Sequence, residues 1–472
     1  MTTAQPKKLN VIWLIVAAAF FMETLDGTVI ATALPQMAAT FGTNPVHLSI
    51  GMTSYLVTLA VFIPVSGWVA DRLGTRRVFA WAVAAFTLAS VLCALSTSVV
   101  QFTAARIFQG MAGAMMVPVG RLAVLRNTGK EDLVRAMAFI VWPGLIAPVI
   151  GPPLGGFLAT YLSWQWIFLL NVPFGIAGIF LIRVYVPESP PQPRRPLDTV
   201  GFALCGLALS ALMVGVEMLG YGGRWLLSAG LIAASVMLGI ALALHLRRHP
   251  HPLIDPTVMG VASFRSVMIG GTISRTAISA MPFLLPLLFQ VGFGLNAFEA
   301  GMLYLASMLG NLGMKLGTTQ ALRRFGFRNV LVFNGALAAA SIALCAALSR
   351  ETPVPLIVLI MLVCGMTRSM QFTGLTTMAF AEVPQPQMST ANTLFSTTQQ
   401  MSMGLGIAVG AVALHAAAAA RGAGDGSYQV GDFRIAFMLV ALLALSALLS
   451  FTRLRRDAGA EVSGHKGASE RT

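Results

Sequence analysis

What most restricts this chain is a recurrence. Between Val11 and Phe451 apolar runs follow one another, each near the ~20 residues a helix needs to cross a ~30 Å hydrocarbon layer. Fourteen are present. The first six are Val11–Ala33, Leu48–Val69, Val78–Ser96, Gln101–Leu125, Arg135–Tyr161 and Trp166–Val186. Leu197–Val216 and Trp225–Leu246 follow, then Phe264–Gln290, Phe298–Gln320, Arg328–Leu348, Pro355–Thr376, Thr390–Ala416 and Phe433–Arg453. Only 10% of the residues are charged, against about 25% in soluble domains, so water is not the main solvent. The first run ends in Leu34-Pro35 without a small-residue cleavage site, and so reads as a membrane helix, not a signal peptide.

A formal charge of +14 could suggest nucleic acid as a partner, but the basic residues sit in short loops between apolar runs and report topology instead. With Lys7 and Lys8 placed in the cytoplasm, 22 of the 31 Lys and Arg fall in inner segments, among them Arg194, Arg195, Arg247, Arg248, Arg323, Arg324 and Arg456. Four, Arg224, Arg350, Arg421 and Arg434, fall outside. This bias predicts an even helix count with both termini inside. Cys93, Cys205, Cys345 and Cys364 lie in apolar runs without Cys-x-x-Cys spacing and read as buried thiols; no metal is expected.

An internal repeat is visible. Gly67-Trp-Val-Ala-Asp71-Arg72-Leu-Gly74-Thr-Arg76-Arg77-Val78 matches Thr319-Gln-Ala-Leu-Arg323-Arg324-Phe-Gly326-Phe-Arg328-Asn329-Val330, 252 positions later. The shift implies two parallel six-helix halves separated by two extra helices. The expected domains are residues 1–190, an N-terminal six-helix bundle; 191–250, the extra pair; 251–456, a C-terminal six-helix bundle; and 457–472, a cytoplasmic tail. Pro187–Pro196 is Pro-rich and reads as a stiff cytoplasmic connector.

With its full Gly67-x-x-x-Asp71-Arg72-x-Gly74-x-Arg76-Arg77 loop, the chain resembles the fourteen-helix drug:proton antiporter branch of the major facilitator superfamily over essentially its whole length. In that loop the Asp and Arg residues can form a charge network that locks one conformation and breaks in the other. Arg106-Ile-Phe-Gln109-Gly110-Met-Ala-Gly113 resembles the family's intramembrane arginine motif. Gly144, Pro148, Gly151, Pro152, Gly155 and Gly156 in helix five resemble its antiporter motif, where freed backbone groups and close helix approach permit bending. Asp26-Gly-Thr28 and Trp164-x-Trp166-x-Phe168-x-x-Asn171 are further family marks. The resemblance implies an all-α major facilitator fold of 14 transmembrane helices in the plasma membrane, a bacterial inner membrane by that analogy.

Charged residues inside the runs carry the chemistry, since each costs at least ~2.5 kcal/mol at mid-bilayer and so faces a cavity or a partner. Glu23 and Asp26 share a face of helix one, being three apart. Asp26 lies roughly 10 Å, and Arg106 roughly 8 Å, from the same membrane side, so the two can pair. A carboxylate with a mobile arginine partner is a physical basis for proton coupling; a static buried salt bridge is the alternative. The resemblance places Asp26, Glu23, Arg106, Arg121, Arg275 and Arg368 on cavity helices, with Lys315 as a further cation; Arg121 and Lys315 lie nearer the inner ends, where they can snorkel. This cation excess favours a substrate with carboxylate or phosphate over a purely cationic drug. Met281, Phe283, Phe289, Met366, Met370, Phe372 and Met378 form either an adaptable apolar wall or ordinary packing.

The sequence contains no phosphate-binding Gly-x-x-x-x-Gly-Lys-[Ser/Thr] loop and no His-Glu-x-x-His, so no cofactor is expected and coupling is to an ion gradient. The six histidines lie at span ends or in loops, away from a relay position. An enzyme would need a convergent catalytic set, and a receptor a sizeable soluble domain; neither is present. The expectation is a proton-coupled small-molecule exporter of the multidrug-efflux type working by alternating access on an amphiphilic or anionic substrate; the alternative is an exporter of an organic anion or anion–metal chelate such as a tricarboxylate.

Overall fold

A computed structural model describes residues 5–128, 132–188, 196–219, 225–249, 252, 256–384, 387–423, 427–455 and 458–459. Residues 189–195 of the Pro-rich connector, Arg224, Arg456 and nearly all of the expected tail lie outside them. Among the described residues the chain is helical, with no strand. The long helices are α1 (Gln5–Val29), α2 (Ser49–Leu73), α3 (Thr75–Ala94), α4 (Val99–Asn127), α5 (Leu133–Tyr161), α6 (Asn171–Tyr185), α7 (Thr199–Leu219), α8 (Trp225–Arg248) and α9 (Ala262–Ser279). A helical stretch Ala297–Cys345 follows, and then α12 (Val354–Ala381), α13 (Met388–Ala420) and α14 (Val430–Ser446).

Among the described residues, thirteen helical stretches are long and apolar enough to span a membrane. One of them, Ala297–Cys345, has 49 residues, about 74 Å at 1.5 Å per residue and more than twice a hydrocarbon core. Its break is at Gly326, where φ is 74° and ψ 161°. It therefore supplies two crossings, α10 (297–325) and α11 (327–345), and the total is the expected fourteen. Gly74, between α2 and α3, has φ 89° and ψ 134°. Only glycine holds this region without a penalty of roughly 1–3 kcal/mol, so the repeated glycines turn the chain by one device in both halves.

The expected ninth run, Phe264–Gln290, is divided. Beyond Ser279 the chain continues as a short helix, Met281–Leu287, and a π-turn, Leu288–Gly292. Pro282 and Pro286 lack the N–H donors an unbroken helix would use there. Helix α5, by contrast, holds four prolines, Pro143, Pro148, Pro152 and Pro153, within one continuous helix.

Two compact units form, Met1–Phe202 with Asn296–Gly301, and Ala203–Leu295 with Met302–Thr472. The first is built around Val16, Phe79, Val83, Phe86, Met116 and Ile140. The core of the second includes Phe264, Val267, Phe327, Leu331, Met378 and Phe451. Trp81, Trp142, Phe180 and Phe333 are exposed, while Asp26, Arg106 and Arg275 are buried. Apolar residues outside and charge inside is the arrangement of a protein whose solvent is lipid.

Candidate functional site

The first unit centres its polar groups on Asp26. Arg106 Nη1 donates to Asp26 Oδ2 at 2.5 Å and to Gln109 Oε1 at 2.7 Å. Gln109 Nε2 and Asn171 Nδ2 donate to Asp26 Oδ1 at 2.9 and 3.1 Å, and both reach Ser90 Oγ. Four helices converge here: α1 brings the carboxylate, α4 the Arg106/Gln109 pair one turn apart, α6 its first residue Asn171, and α3 Ser90. The guanidinium completes its shell with Nε to the Gly51 carbonyl at 3.3 Å and the Tyr55 ring 4.1 Å from Cζ. Arg106 reaches this carbonyl because α2 and α4 touch through glycine: a Cβ on Gly110 would strike the Tyr55 carbonyl and Thr58, and one on Gly51 would strike the Phe102 ring. Ion pair and donors are buried together, which offsets the cost of removing both charges from water.

Glu23 lies one turn back along α1. Its side chain is half-buried, and its Oε2 is buried with no hydrogen-bond partner, in contrast to the fully engaged Asp26. Arg121 is exposed on α4, its guanidinium 5.2 Å from the Phe20 ring centroid. Helix α5 presents three of its glycines to α1. Added Cβ atoms on Gly144, Gly151 and Gly155 would strike Phe20, Thr28 and the Val29 carbonyl respectively. Gly156 serves a different contact, with the backbone of Ala297, while Pro152 meets Gly301.

At the Gly67–Arg77 loop, Asp71 pairs with Arg126 from the end of α4 at 2.5 Å, and Arg126 also donates to Thr75 Oγ1 at 2.7 Å. Arg76 donates to the Arg183 carbonyl at 2.5 Å and Arg77 reaches Glu188 at 3.4 Å, both at the end of α6. Arg72 stacks on Trp68, and a Cβ on Gly67 would meet nothing. The loop is thus fastened to the ends of α4 and α6. In the repeated copy Arg323 stands where Asp71 does, and Arg328 holds the Thr452 carbonyl at 3.0 Å.

Among the described residues, the second unit buries one arginine, Arg275, with no carboxylate against it. Arg275 on α9 is 1% exposed; its Nε donates to the Gly271 carbonyl of its own helix at 3.1 Å, its Cζ lies 4.5 Å from the Phe395 centroid, and its Nη2 has no hydrogen-bond partner. Arg368 on α12 is half-buried, with Nη1 3.5 Å from Tyr304 Oη, Cζ over Phe372, and Nε unpartnered. Lys315 is exposed on α10. Met281, Phe283, Phe289, Met370 and Met378 are buried in the core, whereas Met366 is exposed.

Sequence reasoning quoted Gln109 and Asn171 as motif positions without giving them a part in the charge cluster; polar residues inside apolar runs were the available signal. Tyr55 and the Gly51 carbonyl carried no such signal, because a ring and a backbone atom are chosen only by helix packing.

Charged groups held inside a shell of exposed apolar residues are the build of a membrane protein. The model of the Major Facilitator Superfamily matches residues 16–407 and 267–471, and the chain belongs to that family. It is 36% identical over 450 residues to the "Putative multidrug resistance protein MdtD" of Serratia proteamaculans, covering 94% of this chain and 93% of that one. The protein of that name from an Escherichia coli O6:H1 strain is 37% identical over 393 residues, 82% and 83% of the two chains. Among solved structures, a D-xylose-proton symporter aligns with a TM-score of 0.68 at 14% identity, over 95% of this chain and 98% of that one. The human organic anion transporter MFSD10 aligns at 0.57 and 16%, over 95% and 100%. The structural likenesses establish the fold. The chain is therefore a multi-pass membrane transporter and not an enzyme.

Proposed function

We propose that this transporter is a proton-coupled exporter of small molecules, an antiporter of the multidrug-efflux type, working by alternating access. The observation that carries the reading is the buried Asp26–Arg106 pair with Glu23 one turn away. In this conformation Arg106 and two amide donors satisfy both oxygens of Asp26. A movement of α4 against α1 would remove these donors and leave a carboxylate in low dielectric, where taking a proton is the cheaper state. Glu23, with one oxygen unpartnered, is the second carrier. The loop of Gly67, Asp71, Arg72, Gly74, Arg76 and Arg77 acts on the conformational equilibrium through its ties to α4 and α6, and the α1–α5 glycine contacts let those helices move together. We place the membrane-embedded charges on the substrate path, with the N-terminal bundle, the extra helix pair and the C-terminal bundle as the working parts and both termini cytoplasmic. The MdtD relatives' printed name supports efflux.

A second reading, export of an organic anion or anion–metal chelate, is favoured by Arg275, a buried cation with an unpartnered nitrogen. Reconstitution in proteoliposomes under an imposed pH gradient, comparing a hydrophobic cation with a tricarboxylate, separates the two. Gradient-driven movement of the cation supports the first and of the tricarboxylate the second. Movement of both unchanged by collapsing the gradient overturns proton coupling.

A further inference from the structure

Cys345 on α11 and Cys364 on α12 are 19 positions apart, yet the helical turn between them brings the two sulfurs to 3.7 Å. Both thiols are free and buried, and both donate to the same acceptor, the Ser341 carbonyl, at 3.3 and 3.5 Å. The pair is not sealed off. Cys364 lines a cavity with Ser341, Thr367, Tyr304 and Arg368, whose free volume of about 10 Å³ is room for the centre of one water. Nothing in the transport reading uses these sulfurs.

Their separation is that of an S–H···S contact, and it also suits metal binding. A disulfide requires the sulfurs to close to about 2.05 Å and an oxidant to accept two electrons. A tetrahedral ion with metal–sulfur bonds of about 2.3 Å holds its two sulfurs about 3.8 Å apart, close to the spacing already present. Thiolates are soft ligands and select soft ions.

We propose that Cys345 and Cys364 form a two-thiolate binding site for a soft divalent cation of the zinc, cadmium and mercury group, one ion per chain, joining α11 to α12. Two S–H bonds break, two metal–sulfur bonds form, and two protons leave through the cavity. No electrons move, and the site's net charge is unchanged, which is the exchange a low-dielectric interior tolerates. Arg368 opposes a bare cation at this position but not a neutral dithiolate complex. The Ser341 and Thr367 hydroxyls, 3.4 Å apart, and one water are the oxygen ligands at hand.

The test is a Cd²⁺ titration of the purified full chain in detergent, following thiolate-to-cadmium ultraviolet absorption and, in weak buffer, proton release. The expected result is saturation at one Cd²⁺ with two protons released, loss of the band in Cys345→Ser and in Cys364→Ser, and its retention in Cys93→Ser and Cys205→Ser, all at wild-type helicity. A wild type without a saturable band overturns the proposal, as does a band that survives either Cys345→Ser or Cys364→Ser. Should those variants not fold, the wild type decides by maleimide labelling read by peptide mass spectrometry. Cd²⁺ should slow labelling of Cys345 and Cys364 together and leave Cys93 and Cys205 unchanged; equal effects on all four overturn the site.

Discussion

Arg106 and Arg275 are buried to the same degree, each 1% exposed, but in opposite electrostatic settings. Arg106 has a carboxylate at 2.5 Å, with Gln109, Asn171, the Gly51 carbonyl and the Tyr55 ring around the pair, whereas Arg275 has a carbonyl of its own helix and an aromatic face. At the 252-residue offset that relates the two loops, Glu23 corresponds to Arg275, so the repeat carries a reversal of charge at matched positions of its first helices. The loops differ in the same sense, with Asp71 in one copy and Arg323 in the other. The first unit neutralises its buried arginine from within, while the second buries Arg275 with no carboxylate against it among the described residues. The first arrangement suits a group that must gain and lose a proton, the second a group that must meet an anion.

This contrast is most exposed to stability measurements. Arg106→Ala leaves Asp26 buried without its partner and should cost about 3–5 kcal/mol, the usual penalty for breaking a buried pair. Arg275→Ala removes a cation that has no partner to strand and should cost far less. Thermal unfolding of the two variants in detergent checks this, and equal losses would erase the distinction between the units. Transport should then invert the order for an anionic substrate. Arg275→Ala forfeits charge-assisted hydrogen bonds worth about 1.5–3 kcal/mol, or roughly a 10- to 150-fold loss of anion uptake, and Arg275→Lys should restore only part of it because the planar fork is absent.

The shared backbone device offers a symmetric control. Gly74→Ala and Gly326→Ala each force a side chain into a glycine region and should each lose about 1–3 kcal/mol in the same unfolding assay. A loss confined to Gly74 would mean that the second copy is relaxed rather than duplicated. The smallest effect is expected at Asp71→Asn. Its pair with Arg126 is half-exposed and worth at most about 1 kcal/mol, so substrate affinity should hold while turnover falls several-fold. A large affinity loss with unchanged turnover would place the loop on the substrate path instead.

The fold was legible because the bilayer leaves few options: length and hydropathy set fourteen crossings, and Gly74 and Gly326 mark a turn of the same kind in two of the loops. The Asp26–Arg106 pair was legible from depth alone, as two charges equally far from one membrane side have little else to pair with. The rest required packing. Nothing in the spacing of Phe395 and Arg275 announces a ring over a guanidinium, and the division of the ninth run at Pro282 was hidden because hydropathy does not register a lost N–H donor. Cys345 and Cys364 read as isolated thiols because their proximity arises from the facing surfaces of two antiparallel helices.

The central claim is that the neutralised unit couples protons, and it is tested most directly by proton flux. With the chain in proteoliposomes containing a pH-sensitive dye, a substrate gradient should drive protons the opposite way in the wild type. Asp26→Asn, which keeps the volume of the site but not its titratable group, should largely abolish that flux while substrate exchange without net proton movement persists. Wild-type proton flux in the Asp26→Asn variant would contradict the account.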